Sequence, residues 1–125
     1  FVLKRQKIAE KYNNELSSLA IRIPFQLKSS FSSFHLYVIA LDKPDANEHK
    51  RIFKFMRSKG IGVNLHYIPV YKHPYYKKIG FEDQYCENAE DYYKSAISIP
   101  IYPDLSSKEQ DYVVMTIKDA LKAVK

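Results

Sequence analysis

Residues 34–41 read Phe-His-Leu-Tyr-Val-Ile-Ala-Leu, and this stretch decides the fold. Apolar side chains occupy both alternating faces, which is the pattern of a central strand that is covered on both sides. A turn follows at residues 42–45. Asp45 or Asn47 can cap the next helix, whose apolar positions are Ile52, Phe53 and Met56. Gly60 is placed to end that helix in a left-handed conformation.

The segments on either side of this strand also have clear patterns. Apolar residues recur at helical spacing over residues 2–19, which predicts an amphipathic helix. Residues 21–27 contain Pro24 and predict an extended connector or edge strand, and a polar loop follows at residues 28–33. Residues 61–68 predict a second strand, with one face formed by Ile61, Val63, Leu65 and Tyr67.

The last third of the chain predicts a loop, a helix, a strand and a final helix. Residues 69–85 are rich in Tyr and Lys and read as a loop with one helical turn at residues 75–79. A short helix is indicated by Ala89, Tyr92, Tyr93 and Ala96, and residues 97–99 form a brief strand before Pro100. Ser106 and Glu109 form a capping box. It opens a helix whose buried stripe is Val113, Ile117, Ala120, Leu121 and Val124.

The element order is α-β-α-β-α-β-α, which predicts one α/β (α+β) domain over residues 1–125. We expect a small open three-stranded sheet with four helices packed on it. Long helical connections permit parallel pairing, but the sequence leaves the strand directions open. The chain begins at Phe1 inside a helical pattern without a capping residue, which suggests a chain cut within an element.

Composition narrows the classes of function. The 125 residues are 46% hydrophobic with a net charge of +6, and no block of five like charges is present, so a nucleic-acid-binding tail is disfavoured. The longest apolar run, residues 37–41, is too short to cross a membrane. Cys86 is the single cysteine and fits a reducing cytoplasm. Zinc-ligand spacing and a glycine-rich phosphate loop are absent from the sequence, so no metal is expected.

Three segments, in order, carry a resemblance to a known family. They are HLYVI in the central strand, GI…HYIPVY from Gly60 onward, and AE…SIPIYPDLS from Ala89 onward. Together they resemble the C-terminal region of the DegT/DnrJ/EryC1/StrS family of pyridoxal-phosphate-dependent sugar aminotransferases. The resemblance covers essentially the whole chain. It implies the C-terminal small domain of a fold-type-I aminotransferase.

The resemblance also implies an activity. Such enzymes transfer an amino group, usually from glutamate, to a nucleotide-linked 4-keto-6-deoxy sugar, or to a 3-keto sugar, in glycan biosynthesis. The subtype suggested is a transaminase for UDP-linked 4-amino-4,6-dideoxy-N-acetylhexosamines. Family members are about three times as long as this chain, and their N-terminal large domain holds the lysine that binds the cofactor. We therefore expect no catalytic or cofactor-binding residue here, no activity of this chain alone, and a cytoplasmic homodimer when the large domain is present.

Four residues are candidates for binding the substrate. His66 and Tyr67 resemble the family's HY-x-P element and lie where a predicted strand enters a loop. The alternative is a structural His66 satisfied by backbone groups, with Tyr67 in the core. Tyr71 stands where many members carry a second histidine. His35 precedes the central strand, where a satisfied core histidine is the alternative.

Two further hypotheses do not depend on the resemblance. The chain could be a stand-alone basic module that binds an anionic ligand through its Tyr-rich loop. It could also be an accessory domain that joins a partner protein through its opening helix.

Overall fold

Residues Tyr37–Leu41 form the middle strand of a three-stranded sheet in the computed structural model, which describes residues 1–123. The elements in chain order are α1 (Val2–Leu16), β1 (Ile21–Arg22), β2 (Tyr37–Leu41), α2 (Ala46–Ser58), α3 (Pro74–Tyr76), α4 (Glu87–Tyr93), β3 (Ala96–Ile99) and α5 (Ser107–Ala123). The strand order is β1-β2-β3, and both pairs are antiparallel. The α/β class, a small three-stranded sheet and the central position of β2 are confirmed, but β1 takes the place of the strand predicted at residues 61–68. Within the described residues, α3 adds a short fifth helix to the four expected.

The two faces of the sheet differ in burial. Tyr37 pairs with Ile99 and Ile39 with Ile97, and all four side chains are buried in the core. Side chains that are directly opposed in an antiparallel pair lie on the same face. The other face carries Val38, opposite Ser98. Val38 is only half-buried, so β2 is covered more fully on one side than on the other.

The core is formed by the buried face of the sheet and helices α1, α2 and α5. Tyr12 from α1 packs on Tyr37 with 5.0 Å between ring centroids. The Tyr12 hydroxyl donates to the Pro100 carbonyl at 2.9 Å, and the Tyr37 hydroxyl donates to Asn13 Oδ1 at 2.6 Å. Both rings are therefore buried without an unsatisfied hydroxyl, which would otherwise oppose folding.

The predicted helix boundaries are confirmed where a specific cap defines them. The Asp45 side chain accepts hydrogen bonds from the backbone N–H groups of Asn47 and Glu48, so Asp45 rather than Asn47 caps α2. Gly60 follows α2 with φ +78°, a conformation that glycine adopts without a steric penalty. Ser106 and Glu109 form the reciprocal capping box of α5.

The predicted strand at residues 61–68 is wrong. Only Asn64 pairs in a strand-like manner, opposite Ser98. The Asn64 side-chain oxygen accepts the Leu65 N–H at 2.8 Å, and the Val63 N–H donates to the Ile61 carbonyl. These local bonds use donors that a ladder would need. The apolar face predicted for this strand is not buried along its whole length. Ile61 and Val63 are buried, but Leu65 is half-buried and Tyr67 is exposed.

Smaller differences concern the ends of elements. Helix α1 ends at Leu16 rather than at residue 19, and Ala96 begins β3 instead of ending a helix. Tyr92, one of the residues that indicated the short helix, is exposed. The predicted turn at residues 75–79 overlaps α3 and a following π-type turn, Lys77–Phe81, which is kinked at Gly80. Val124 lies outside the described residues.

Candidate functional site

The segment that contains His66 and Tyr67 leaves the sheet beside β3. Asn64 exchanges two backbone hydrogen bonds with Ser98, which fixes the start of the segment. Two residues later, His66 Nδ1 lies 2.7 Å from the Ser98 hydroxyl oxygen. Ser98 of the sheet therefore holds both the backbone of this segment, at Asn64, and the imidazole ring of His66.

The contact with Ser98 leaves the other ring nitrogen of His66 available. Within residues 1–123, His66 Nε2 has no hydrogen-bond partner, and it is not among the buried unsatisfied atoms. If the Ser98 hydroxyl donates to Nδ1, Nε2 carries the proton and is a donor; in the other tautomer Nε2 is an acceptor. Either form suits a ligand that carries hydroxyl, carbonyl or phosphate oxygens. His66 is satisfied by a side chain rather than by the backbone.

Tyr67 presents its ring to the outside. Its side chain is 71% exposed, so the alternative that places it in the core is wrong. The ring stands edge-on to the His66 imidazole, with centroids 4.7 Å apart and an interplanar angle of 88°. The His66–Tyr67 peptide bond is cis. The two rings thus form an aromatic pair at the surface of the domain. Such rings can combine apolar contact with hydrogen bonding.

Tyr71 is tied to helix α4. Its hydroxyl donates to Glu90 Oε1 at 2.8 Å and accepts the Cys86 N–H at 3.2 Å. Lys72 forms an ion pair with the other oxygen of Glu90. Burial, followed by the contact with Glu90, raises the pKa of Tyr71. Its hydroxyl is therefore neutral at ordinary pH and already has partners within the domain.

Glu90 was not a candidate in the sequence, although it lies in the segment AE…SIPIYPDLS that carries the resemblance. It is 3% exposed. The hydrogen bond from Lys72, then that from Tyr71, holds the pKa of its carboxyl below the usual range against the opposing effect of burial. Glu90 is therefore an ionised carboxylate inside the domain. Its place in that segment is the sequence signal that distinguishes it from Glu87 on the same helix.

His35 is not brought into this group. It is exposed, precedes β2 by two residues, and has no hydrogen bond to residues 66–72 within the described part of the chain. The buried histidine is instead His49 on α2, whose Nε2 lies 2.9 Å from the Ala96 carbonyl oxygen. The expectation of a satisfied core histidine therefore applies to His49, which the sequence did not single out.

A separate cleft of about 580 Å³ lies elsewhere on the surface. It is formed by residues 60–62, Tyr102, Leu105 and the first turns of α5, including Tyr112. Its lining includes none of the four candidate residues. The cleft therefore provides no support for the substrate site expected from the sequence.

The surroundings of the lysines bear on whether this domain could bind pyridoxal phosphate. The cofactor requires a lysine that is deprotonated when it reacts as a nucleophile. Every lysine in residues 1–123 is exposed or half-buried. The hydrogen bond to Glu90 raises the pKa of Lys72, which keeps its ammonium group protonated. Lys72 therefore does not offer a free amine to the cofactor.

No helix within residues 1–123 has the length and apolarity required to cross a bilayer. The acidic, histidine and cysteine side chains of the same residues form no group of three or more that could hold a metal ion.

Comparison with known proteins extends these observations. The spore coat polysaccharide biosynthesis protein SpsC of Bacillus subtilis is 32% identical over 123 residues, which cover 95% of this chain and 32% of SpsC. The UDP-4-amino-4,6-dideoxy-N-acetyl-beta-L-altrosamine transaminase of Campylobacter jejuni is also 32% identical, over 98% of this chain and 32% of that protein. This chain thus spans about a third of the length of these relatives.

The fold agrees with solved structures. The PMP form of the putative sugar aminotransferase Spr1654 from Streptococcus pneumoniae superposes with a TM-score of 0.93 and 26% identity. It covers 99% of this chain, which corresponds to 31% of the Spr1654 chain. Residues 1–118 match a single protein family. The chain therefore belongs to the DegT/DnrJ/EryC1/StrS aminotransferase family.

Proposed function

We propose that residues 1–125 are the C-terminal small domain of a pyridoxal-phosphate-dependent sugar aminotransferase. The complete enzyme would transfer an amino group from glutamate to a nucleotide-linked 4-keto-6-deoxy sugar for the synthesis of a surface glycan. Membership of the family and the fold shared with Spr1654 support this proposal. The relative from Campylobacter jejuni, which is named for a UDP-linked amino sugar, supports UDP as the nucleotide.

One observation supports a substrate-binding role for the domain. The His66 ring is fixed by Ser98 with Nε2 free of partners among the described residues, and the exposed Tyr67 ring stands beside it. A fixed donor or acceptor next to an exposed aromatic ring suits a sugar, which offers hydroxyl groups and apolar ring faces. We therefore propose that His66 and Tyr67 bind the sugar nucleotide at the wall of the active-site cleft.

The other two candidates have different parts in this proposal. Tyr71 would hold the segment that carries His66 and Tyr67 in place, since its hydroxyl already donates to Glu90. His35 would contact the substrate without support from residues 66–72, since it forms no hydrogen bond to them within the described residues.

Pyridoxal phosphate would be bound by a large domain outside residues 1–125. The exposure of the lysines and the ion pair of Lys72 with Glu90 support that division. Several large apolar side chains are exposed on this domain, namely Phe1, Leu3, Phe25, Leu27, Phe31, Val70, Ile79 and Phe81. Where such side chains adjoin one another, they are typical of a surface that another domain or subunit covers. We propose the large domain and the second subunit of a homodimer as these partners.

The proposed location is the cytoplasm, where the free, exposed thiol of Cys86 would remain reduced.

The test uses the protein encoded by the complete reading frame around this chain. It should convert glutamate to 2-oxoglutarate in the presence of a UDP-linked 4-keto-6-deoxy-N-acetylhexosamine. His66→Ala should raise KM for the sugar about tenfold, the loss expected for one good hydrogen bond. His73→Ala is the matched control, because His73 is an exposed histidine seven positions away. A protein that releases no 2-oxoglutarate with any keto sugar would refute the proposed function.

A further inference from the structure

Residues 73–85 form an exposed surface loop, called the excursion below. Its two ends lie close together, and this point is called its base. Tyr71 stands on one side of the base and Cys86 on the other, and the Cys86 N–H donates to the Tyr71 hydroxyl. Within the excursion, Tyr76 packs edge-on against Phe81, with centroids 6.1 Å apart. Compact surface loops have adjacent ends and pack on their own side chains. The contacts at the base therefore hold this loop to the rest of the domain.

Glu90 is the buried group at this base. One carboxylate oxygen accepts from Tyr71, and the other is paired with Lys72, whose Nζ also lies 5.8 Å from the centre of the Tyr93 ring. A buried carboxylate is tolerated only when its oxygens have partners. Removal of the charge would therefore leave Lys72 without its counter-ion and would weaken the hold on Tyr71.

Residues 68–70 join the base to the candidate site, and this short segment leads into a hydrogen-bonded turn. The Lys72 N–H donates to the Pro69 carbonyl, and the His73 N–H donates to the Val70 carbonyl, so residues Val70–Lys72 form one 3₁₀ turn. Pro69 is buried. Residues 66–72 are thus held at one end by Ser98 and at the other by Glu90. The exposed Tyr67 lies between these two points.

We infer that Glu90 is a positioning residue for the sugar substrate. It holds residues 66–72 through Tyr71 and Lys72 and does not itself touch the substrate. This inference rests on the proposed function, because it takes His66 and Tyr67 as the groups that meet the sugar. Positioning of a binding group affects the ground state and the transition state alike, so its loss raises KM and leaves kcat nearly unchanged.

The test is Glu90→Gln in the complete enzyme. We expect KM for the keto sugar to rise about tenfold and kcat to change less than about twofold. KM for glutamate should not change, because glutamate does not require the nucleotide-sugar contacts. Amide hydrogen exchange should become faster in residues 66–86 and stay constant in α1 and β2. Glu87→Gln is the matched control, since Glu87 is an exposed acid on the same helix.

Tyr71→Phe provides a second variant if Glu90→Gln does not fold. It keeps the ring and removes one of the two bonds to Glu90, so it should give a smaller rise in KM for the sugar and a smaller change in exchange. Equal rises in KM for glutamate and sugar, or faster exchange throughout the domain, would overturn the inference and leave Glu90 with a structural role only. An unchanged KM for the sugar would also overturn it. Absence of any amino transfer by the wild-type enzyme would instead refute the proposed function.

Discussion

The His66 imidazole and the Ser98 hydroxyl lie 2.7 Å apart, so a strand of the sheet fixes the ring of the main candidate residue. A ring fixed in this way loses less conformational freedom when it binds a ligand. The contact also determines which hydrogen-bonding group Nε2 offers. The role of His66 can therefore be tested without changing His66 itself.

Ser98→Ala should weaken the binding of sugar while the domain remains folded. Loss of the contact should raise KM for the keto sugar several-fold and reduce the free energy of unfolding by about 1 kcal/mol. Both are measurable, by steady-state kinetics and by urea unfolding. Ser95→Ala is the control, because Ser95 is equally buried but donates to the Asp91 carbonyl. Equal effects of the two variants on KM would contradict a specific role for Ser98.

The ion pair between Glu90 and Lys72 should make the free energy of unfolding depend on pH in the acid range. Because the folded-state pKa of Glu90 lies below its ordinary value of 4.5, its contribution is complete above 4.5 and disappears as the pH falls through the folded-state pKa. The difference in unfolding free energy between wild type and Glu90→Gln should shrink over that range. Urea titrations at a series of pH values measure it. A difference that stays constant from neutral to strongly acid pH would show that folding does not lower the pKa of Glu90 and would contradict its ion pair with Lys72.

Tyr12 and Tyr37 should make the domain sensitive to alkali. Burial raises the pKa of both hydroxyl groups above the ordinary value of 10.0. Their contribution to stability is therefore complete below pH 10.0 and is lost as the pH rises through the folded-state values. Absorbance of tyrosinate should show that Tyr12 and Tyr37 ionise late, together with unfolding. Tyr37→Phe should remove one of these two late ionisations, whereas the control Tyr85→Phe, at an exposed position, should leave both. Eleven tyrosines that titrate together without unfolding would argue against this core.

The exposed apolar side chains should make the isolated chain bind a hydrophobic dye. Phe25 and Phe31 are 87% and 68% exposed, so replacement of both by serine should reduce dye fluorescence clearly. Met115→Ser, at an exposed position on α5, is the control and should have a smaller effect. In the complete protein the dye should bind weakly, because the large domain and second subunit would cover these residues. Strong binding there would count against their role as an interface.

The parts of the fold that depend on local chemistry are predictable from the sequence. The apolar pattern of residues 34–41 predicts the central strand, and Gly60 and the Ser106–Glu109 pair mark helix ends, because each depends on residues close in the chain. The apolar alternation of residues 61–68 was misleading. The Asn64 side chain there takes a backbone donor that a strand would have used.

The candidate site is only partly predictable, since its supports come from distant residues. His66 and Tyr67 stand out through their place in a motif. Ser98 and Glu90, which fix the segment, are separated from His66 and Tyr71 by 32 and 19 positions. Only packing of α4 and β3 against the segment makes Glu90 a buried carboxylate and gives Ser98 a histidine partner.

The most direct test of the account is to locate the lysine that binds pyridoxal phosphate. The complete protein would be loaded with the cofactor, reduced with borohydride to fix it to its lysine, and digested for mass spectrometry. We expect the modified lysine to lie outside residues 1–125, and the isolated 125-residue chain to acquire no stoichiometric label. Stoichiometric modification of a lysine within residues 1–125 would contradict the claim that this domain contributes substrate contacts while the cofactor is bound elsewhere.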